Sequence, residues 1–132
     1  MEYRIEISTY LYVFMMILMF ACGTAFSQTF INGDFEDRIA KDIVAVEFWA
    51  DWNSANQFAD LGKLKECDKY RLDIMANAEI QTKYNIVGIP TVIIFDNGIE
   101  KARFNPNIMF KLDACKKTVQ HSVDTIKLSK FQ

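Results

Sequence analysis

The apolar positions along the chain fall into three patterns, and each predicts a different kind of element. The first is an unbroken run, TYLYVFMMILMFA from Thr9 to Ala21. The second is shorter: IVAVEFWA, Ile43 to Ala50, has the length of one strand and the near-continuous hydrophobicity of a strand covered on both faces, which places it centrally in a sheet. The third is periodic. Phe35 and Ile39 sit four apart behind Asp34, predicting a short helix with Asp34 as its N-cap. Phe58, Leu61 and Leu64 give helical spacing over Ala55 to Glu66, weakened by Gly62 in its interior. Phe30-Ile31 and YRLDI read as strands, AEIQTKY as a short helix, and TVIIFDNGIEKARF as a hairpin turning at Asn97-Gly98. The stretch Asn107 to Ser129 predicts a long helix whose apolar face runs through Leu112, Cys115, Val119, Val123 and Ile126. The order of elements is that of a small α/β domain without repeats, linkers or low-complexity segments.

A length of 132 residues suits one domain, and 51% hydrophobic with 24% charged residues is enough apolar material for a core. The formal net charge is −2 with both signs interspersed, so the chain carries no basic footprint for nucleic acid. The run Thr9 to Ala21 is shorter than a spanning helix prefers, and Ala25-Phe26-Ser27 before Gln28 fits a small-x-small cleavage pattern. The reading that follows is a secretory signal over residues 1–27 and a domain over 28–132, with export to the periplasm or cell envelope of a bacterium. The leading MEYRIEI, with Glu2 and Glu6 beside Arg4, departs from a positively charged signal start. An uncleaved anchor, lipidation at Cys22, and a core helix stay open as alternatives. Membrane contact is expected only through this segment.

The decisive stretch is FWADWNSAN, Phe48 to Asn56, together with YNIVGIPTVIIFDNG further on. A strand ending in FWA, a Trp before a four-residue slot, and an Ile-Pro-Thr segment opposite it resemble the thioredoxin family over nearly the whole chain after Gln28. The resemblance implies a central mixed sheet of four or five strands with helices on both faces, the last two strands antiparallel, and a cis bond at Ile89-Pro90. It also implies that Trp52, Ile89 and Pro90 contact extended partner chains, Ile89 by strand-like main-chain hydrogen bonds.

The departures from the family bear on function more than the match does. Asn53 and Asn56 stand in the slots of the two catalytic cysteines, with Ser54 and Ala55 between them. Dithiol chemistry needs a thiolate whose pKa is lowered at a helix N-terminus and a second thiol to resolve the mixed disulfide. Asparagine offers neither, though it is a good helix N-cap. The expectation is therefore a domain without redox activity at this site, acting by binding a protein or extended peptide. Glu47 falls at the family's buried acid, where a carboxylate needs a local partner or a path to water beside Asn56. The segment from Gln57 to YRLDI is shorter than the family's corresponding helix and lacks its proline, so part of the groove wall is expected to be missing.

The alternative is an atypical thiol oxidoreductase or thiol switch using Cys67, with a role in cell redox homeostasis. Cys115 reads as a small buried hydrophobe on the last helix, and a Cys67–Cys115 bridge is disfavoured by their expected separation. The single histidine, His121, has no cysteine at ligand spacing, so no metal site is read. Asp51 and Asp60 flank the slot as solvated charges rather than an acid–base pair. No phosphate loop, paired histidines or nucleophile with a histidine base is present in the sequence, and no cofactor is implied.

Overall fold

The computed structural model describes residues 29–30 and 34–132; the expected signal segment 1–27 and Cys22 lie outside the described residues, as does Ile31 of the predicted first strand. Five strands form one sheet in the order β1-β3-β2-β4-β5. They are β1 (Thr29–Phe30), β2 (Ile43–Trp49), β3 (Asp68–Asp73), β4 (Thr91–Asp96) and β5 (Ile99–Phe104). The strands β1, β3 and β2 run parallel, β4 runs antiparallel to β2, and β5 antiparallel to β4. This is the mixed α/β sheet that the element order implies. The first six residues of β2 are buried, as its unbroken apolar composition requires of a central strand.

Alternation along the strands divides the core in two. On one face Val44, Val46, Phe48, Leu72, Ile93 and Phe95 pack under α1 (Phe35–Ile39) and beside α2 (Ala78–Lys83), whose Ile80 and the following Tyr84 lie against the cluster. Phe35 meets Phe48, Tyr84 and Phe95 at ring separations of 5.9, 5.3 and 6.1 Å. On the other face Ile43, Ala45, Val92 and Ile94 pack with Phe58, Leu61, Leu64 and the Val119 and Val123 stripe of α3 (Lys116–Ser129). The β4–β5 hairpin turns at Asn97 and Gly98, both at positive φ of 49° and 81°, as a tight primed turn demands. Their N–H groups donate to the carbonyls of Asp42 and Ile39, docking the turn onto the α1–β2 connection.

Three sequence expectations are corrected. Asp34 occupies the N-cap position of α1, but its side chain makes no cap hydrogen bond. The helix expected over Ala55 to Glu66 is replaced by two 3-10 segments, Asp51–Asn56 and Leu61–Lys63. Phe58 explains part of this: its N–H goes to the Glu47 carboxylate at 2.6 Å, so it cannot join a helical ladder. The spacing of Phe58, Leu61 and Leu64 still buries all three, because a period of three also serves 3-10 turns. The last helix begins at Lys116 rather than Asn107. The Asn107 side-chain oxygen accepts the N–H groups of Met109 (2.8 Å) and Lys111 (3.2 Å), a local turn that competes with helix formation. Cys115 is accordingly exposed at the N-cap of α3, not buried on its apolar stripe.

Candidate functional site

The carboxyl ends of β2 and β3 carry the residues singled out in the sequence. Beneath that end lies a charge pair. Glu47 and Arg71 are register partners on adjacent parallel strands, so their side chains point to the same face. Glu47 is 0% and Arg71 2% exposed. Arg71 donates through Nε and a terminal nitrogen to Glu47 Oε2, each at 2.7 Å, while the Phe58 N–H donates to Oε1. The guanidinium also reaches the Phe58 carbonyl at 3.4 Å and lies over the Trp49 ring, 5.8 Å from its centroid. Burial holds the Glu47 carboxyl above its ordinary value, and the Phe58 N–H and the Arg71 guanidinium offset this only in part. Glu47 thus has a local partner, and its three donors fix it as an acceptor rather than a mobile proton carrier.

Above the pair, the chain leaves β2 through Ala50 into the turn Asp51–Asn56. Asn53, which the resemblance sets in the slot of a reactive thiol, is 8% exposed, and its side chain caps no helix. Its Nδ2 instead donates to two carbonyls from distant parts of the chain, Ile89 and Phe110, both at 3.1 Å. Its Oδ1 accepts from Asn56 Nδ2 at 2.8 Å. The expected N-cap role is therefore corrected: the two asparagines form an amide pair across the slot, and Asn53 ties that slot to the segment before Pro90. The Ile89–Pro90 peptide bond is cis, with both residues buried. The Ile89 carbonyl, a main-chain group proposed from sequence for strand addition, accepts the Asn53 amide. Ser54 and Ala55 are exposed, and so is Trp52, at 61%.

Phe110 comes from the segment that the sequence reading placed in a helix. Pro106 and Leu112 pair as an antiparallel bridge, and the Asn107 N–H donates to the Lys111 carbonyl at 2.8 Å, closing a tight loop. Phe110 sits at φ 55°, a conformation that costs an aromatic L-residue about 1–3 kcal/mol unless its surroundings hold it. Two contacts do so. Its carbonyl accepts the Asn53 amide, and its ring meets Trp52 edge to face at 5.5 Å. Pro106 lies on Gly88, where a Cβ would approach the proline ring to 2.9 Å. The loop thus lies along Trp52, Asn53 and the Gly88–Ile89 segment.

Two of these residues escaped the sequence reading. Arg71 had a visible signal, a cation inside the strand YRLDI. Phe110 had a weaker one, the Asn-Pro-Asn stretch at 105–107 that favours a turn over a helix start.

The remaining candidates stand apart from this cluster. Cys67 is half-buried beside the α3 face, and burial pushes its thiol up to about 11. Cys115 is exposed, its thiol lowered by the Thr118 hydroxyl 3.3 Å away and by the Thr118 N–H. Both thiols are free. Asp60 pairs with Lys63 at 2.8 Å, and Asp51 and His121 are exposed. Among the described residues no group of three or more His, Cys, Asp and Glu side chains could hold a metal ion. Around Asn53 the arrangement can hold carbonyls and present apolar surface, but its amides neither ionise nor attack.

Comparison with known proteins places this geometry. A family model described as Thioredoxin matches residues 27–121. Over 70 residues the chain is 31% identical to thioredoxin of Mycoplasma genitalium, covering 48% of this chain and 69% of that protein. Over 74 residues it is 30% identical to thioredoxin of Staphylococcus aureus, covering 51% and 71%. The solved structure of a mutant thioredoxin from Halobacterium salinarum is similar with a TM-score of 0.61 at 16% identity, over 79% of this chain and 96% of that one. Oxidised thioredoxin from Plasmodium falciparum gives 0.57 at 18%, over 75% and 97%. At these identities the solved structures show the shared fold.

Proposed function

Because the chain belongs to the thioredoxin family, we propose that it is a thioredoxin-fold protein that has given up dithiol–disulfide chemistry and works as an exported binding module of a bacterial cell envelope. Its partner is a protein or an extended peptide, engaged at the sheet end around Trp52 and the Ile89–Pro90 segment. The single observation that carries this reading is the slot itself. Asn53 is buried, donates to Ile89 and Phe110 and accepts from Asn56, so the positions that would cycle between thiol and disulfide hold a fixed, non-ionisable hydrogen-bond network. Support also comes from Glu47, which Arg71 and the Phe58 N–H hold in place, and from Trp52. A large exposed aromatic beside a polar framework is the composition of an interface anchor. Export rests on the apolar run at Thr9 to Ala21 and the small residues that follow it.

The reading of Cys67 as a reactive thiol is weakened by its own surroundings, since a thiol pushed up to about 11 is almost entirely protonated near neutral pH. One assay separates the two. In dithiol-driven reduction of insulin the purified protein is expected to run at the uncatalysed rate. Clear turnover that disappears in Cys67→Ser would replace the binding reading with the thiol reading. For the binding role itself, a photocrosslinker placed at exposed Ser54 is expected to capture a partner that Trp52→Ala binds about 1–3 kcal/mol more weakly. Unchanged capture by a folded Trp52→Ala protein would remove Trp52 from the interface.

A further inference from the structure

The loop over Trp52 has the form of a bound ligand. It reaches the slot with one main-chain carbonyl, from Phe110 to Asn53 Nδ2, and one aromatic ring, set edge-on to Trp52. The rest of its tip faces away: Ile108 is 97% and Met109 65% exposed. Its shape is fixed within the loop, by the Pro106–Leu112 bridge and by the Asn107 oxygen holding the Met109 and Lys111 N–H groups. Its ends are anchored, Pro106 on Gly88 and Leu112 against the α3-side cluster, so the tip, which is rigid in itself and touches the slot through these two groups, can lift off the slot as a unit about those anchors. A segment tethered at both ends also competes at high effective concentration, which weakens any external ligand in proportion to the closed population.

We propose that Pro106–Leu112 is a strap occupying the binding face in cis, and that the external partner presents the same chemistry: a turn offering an aromatic side chain edge-on to Trp52 and a main-chain carbonyl to Asn53. The proposal rests on the binding role stated above and names both its regulation and its preferred ligand. Asn53 selects the carbonyl because its Nδ2 is a donor, and its second hydrogen bond, to Ile89, holds that donor in position. Trp52 selects the aromatic ring.

The probe is a head-to-tail cyclised peptide with the sequence of residues 106–112, closed where Pro106 and Leu112 already pair, and labelled on its lysine. It is titrated by fluorescence anisotropy against the full-length protein and against a full-length form in which residues 107–111 are replaced by an equal length of Gly and Ser. The open form is expected to bind the peptide at least tenfold more tightly than wild type. That binding should be lost with Trp52→Ala in the open form and with alanine in place of the peptide's phenylalanine. Phe110→Ala, which leaves the loop length and the Asn107 turn in place, is a milder opening and should give an intermediate gain. Equal affinity for wild type and the open form overturns the strap. Absence of binding to an open form with an unchanged melting transition overturns the aromatic-turn preference. Either failure leaves the binding role standing if the Ser54 crosslink still depends on Trp52, whereas loss of that dependence removes the role itself.

Discussion

On the face of the sheet covered by α1 and α2, every residue that β2 sends inward is apolar: Val44, Val46 and Phe48. On the face covered by α3, the same strand sends in Ile43, Ala45 and then Glu47. The difference follows from what walls each face. The first meets helices and an aromatic group whose surfaces need no polar partner. The second meets, at its upper end, the 3-10 turns of residues 51–63, which leave backbone groups outside any continuous ladder. Phe58 shows the consequence. Its N–H is taken by Glu47, and its carbonyl accepts the Leu61 N–H at 3.2 Å and, at 3.4 Å, Arg71. The charge pair and the missing helix are therefore two sides of one arrangement, in which side chains supply hydrogen bonds that a regular element would have made for itself.

The largest expected effect tests that link. Arg71→Met leaves Glu47 buried beside a single N–H donor and should cost about 3–5 kcal/mol in urea denaturation, as should Glu47→Leu. The double replacement should regain much of the loss, since packed apolar side chains often substitute for a buried pair. It should nevertheless stay below wild type by about 1–3 kcal/mol, because the Phe58 N–H then loses its acceptor. A single replacement costing less than about 1 kcal/mol would mean that water reaches the pair and that the two faces are more alike than their geometry indicates.

The second effect lies at the slot. Asn53→Ala removes the donor to the Ile89 and Phe110 carbonyls and the acceptor for Asn56, and should cost about 1–3 kcal/mol. Asn56 is only half-buried, so Asn56→Ala should cost less, below about 1 kcal/mol. Equal effects would place the stabilisation in the amide pair rather than in the ties to the rest of the chain.

A smaller pair of changes sharpens the comparison from the apolar side. Ile93 and Ile94 are neighbours on β4, fully buried and facing opposite cores. Ile93→Val and Ile94→Val should each cost about 0.5–1.5 kcal/mol, and by similar amounts. If hydrophobic packing is equivalent on the two faces, the charge pair is what distinguishes them. A loss at Ile93 several times that at Ile94 would assign the contrast to packing quality instead.

The sheet is legible in the sequence because its signals are local. The apolar run of β2, the Asn97-Gly98 turn and the α2 pattern each act within a few residues. The two helical expectations fail where a side chain far along the sequence decides the backbone's hydrogen bonds, or where a local turn imitates a helix start. Periodicity at Phe58, Leu61 and Leu64 cannot tell a helix from successive 3-10 turns when both bury the same three residues. The slot residues emerge through the family resemblance, which locates Asn53 and Asn56, while the cap preference of asparagine suggests capping. The partners of Asn53 lie 36 and 57 residues away: the resemblance sets Ile89 opposite the slot, but no pattern in the chain records the pairing with Phe110.

The smallest expected effect concerns Cys67, which packs against the α3-side core and, among the described residues, has no cysteine counterpart on the other face. Burial is the main cause that raises its thiol from 9.0 to about 11; Lys69 opposes the shift, while Asp68, Asp124 and Glu66 add to it. The folded protein therefore holds this proton more tightly than the unfolded chain does. Well below pH 9 the thiol is protonated in both states and stability is unaffected. Between about pH 9 and 11 the unfolded chain releases the proton first, so stability should fall as pH rises through that window. Cys67→Ala should lack this portion of the decline, read as a difference in melting temperature between the two proteins that grows from about pH 8.5 to about pH 10.5. Alkylation followed by site-resolved mass spectrometry supplies the kinetic counterpart. At about pH 8, exposed Cys115 should be labelled well before Cys67, because the thiolate is the attacking species and burial also restricts access to Cys67. Comparable labelling rates would show that the α3-side wall opens readily. That outcome would make the face bearing the charge pair the less firmly closed of the two.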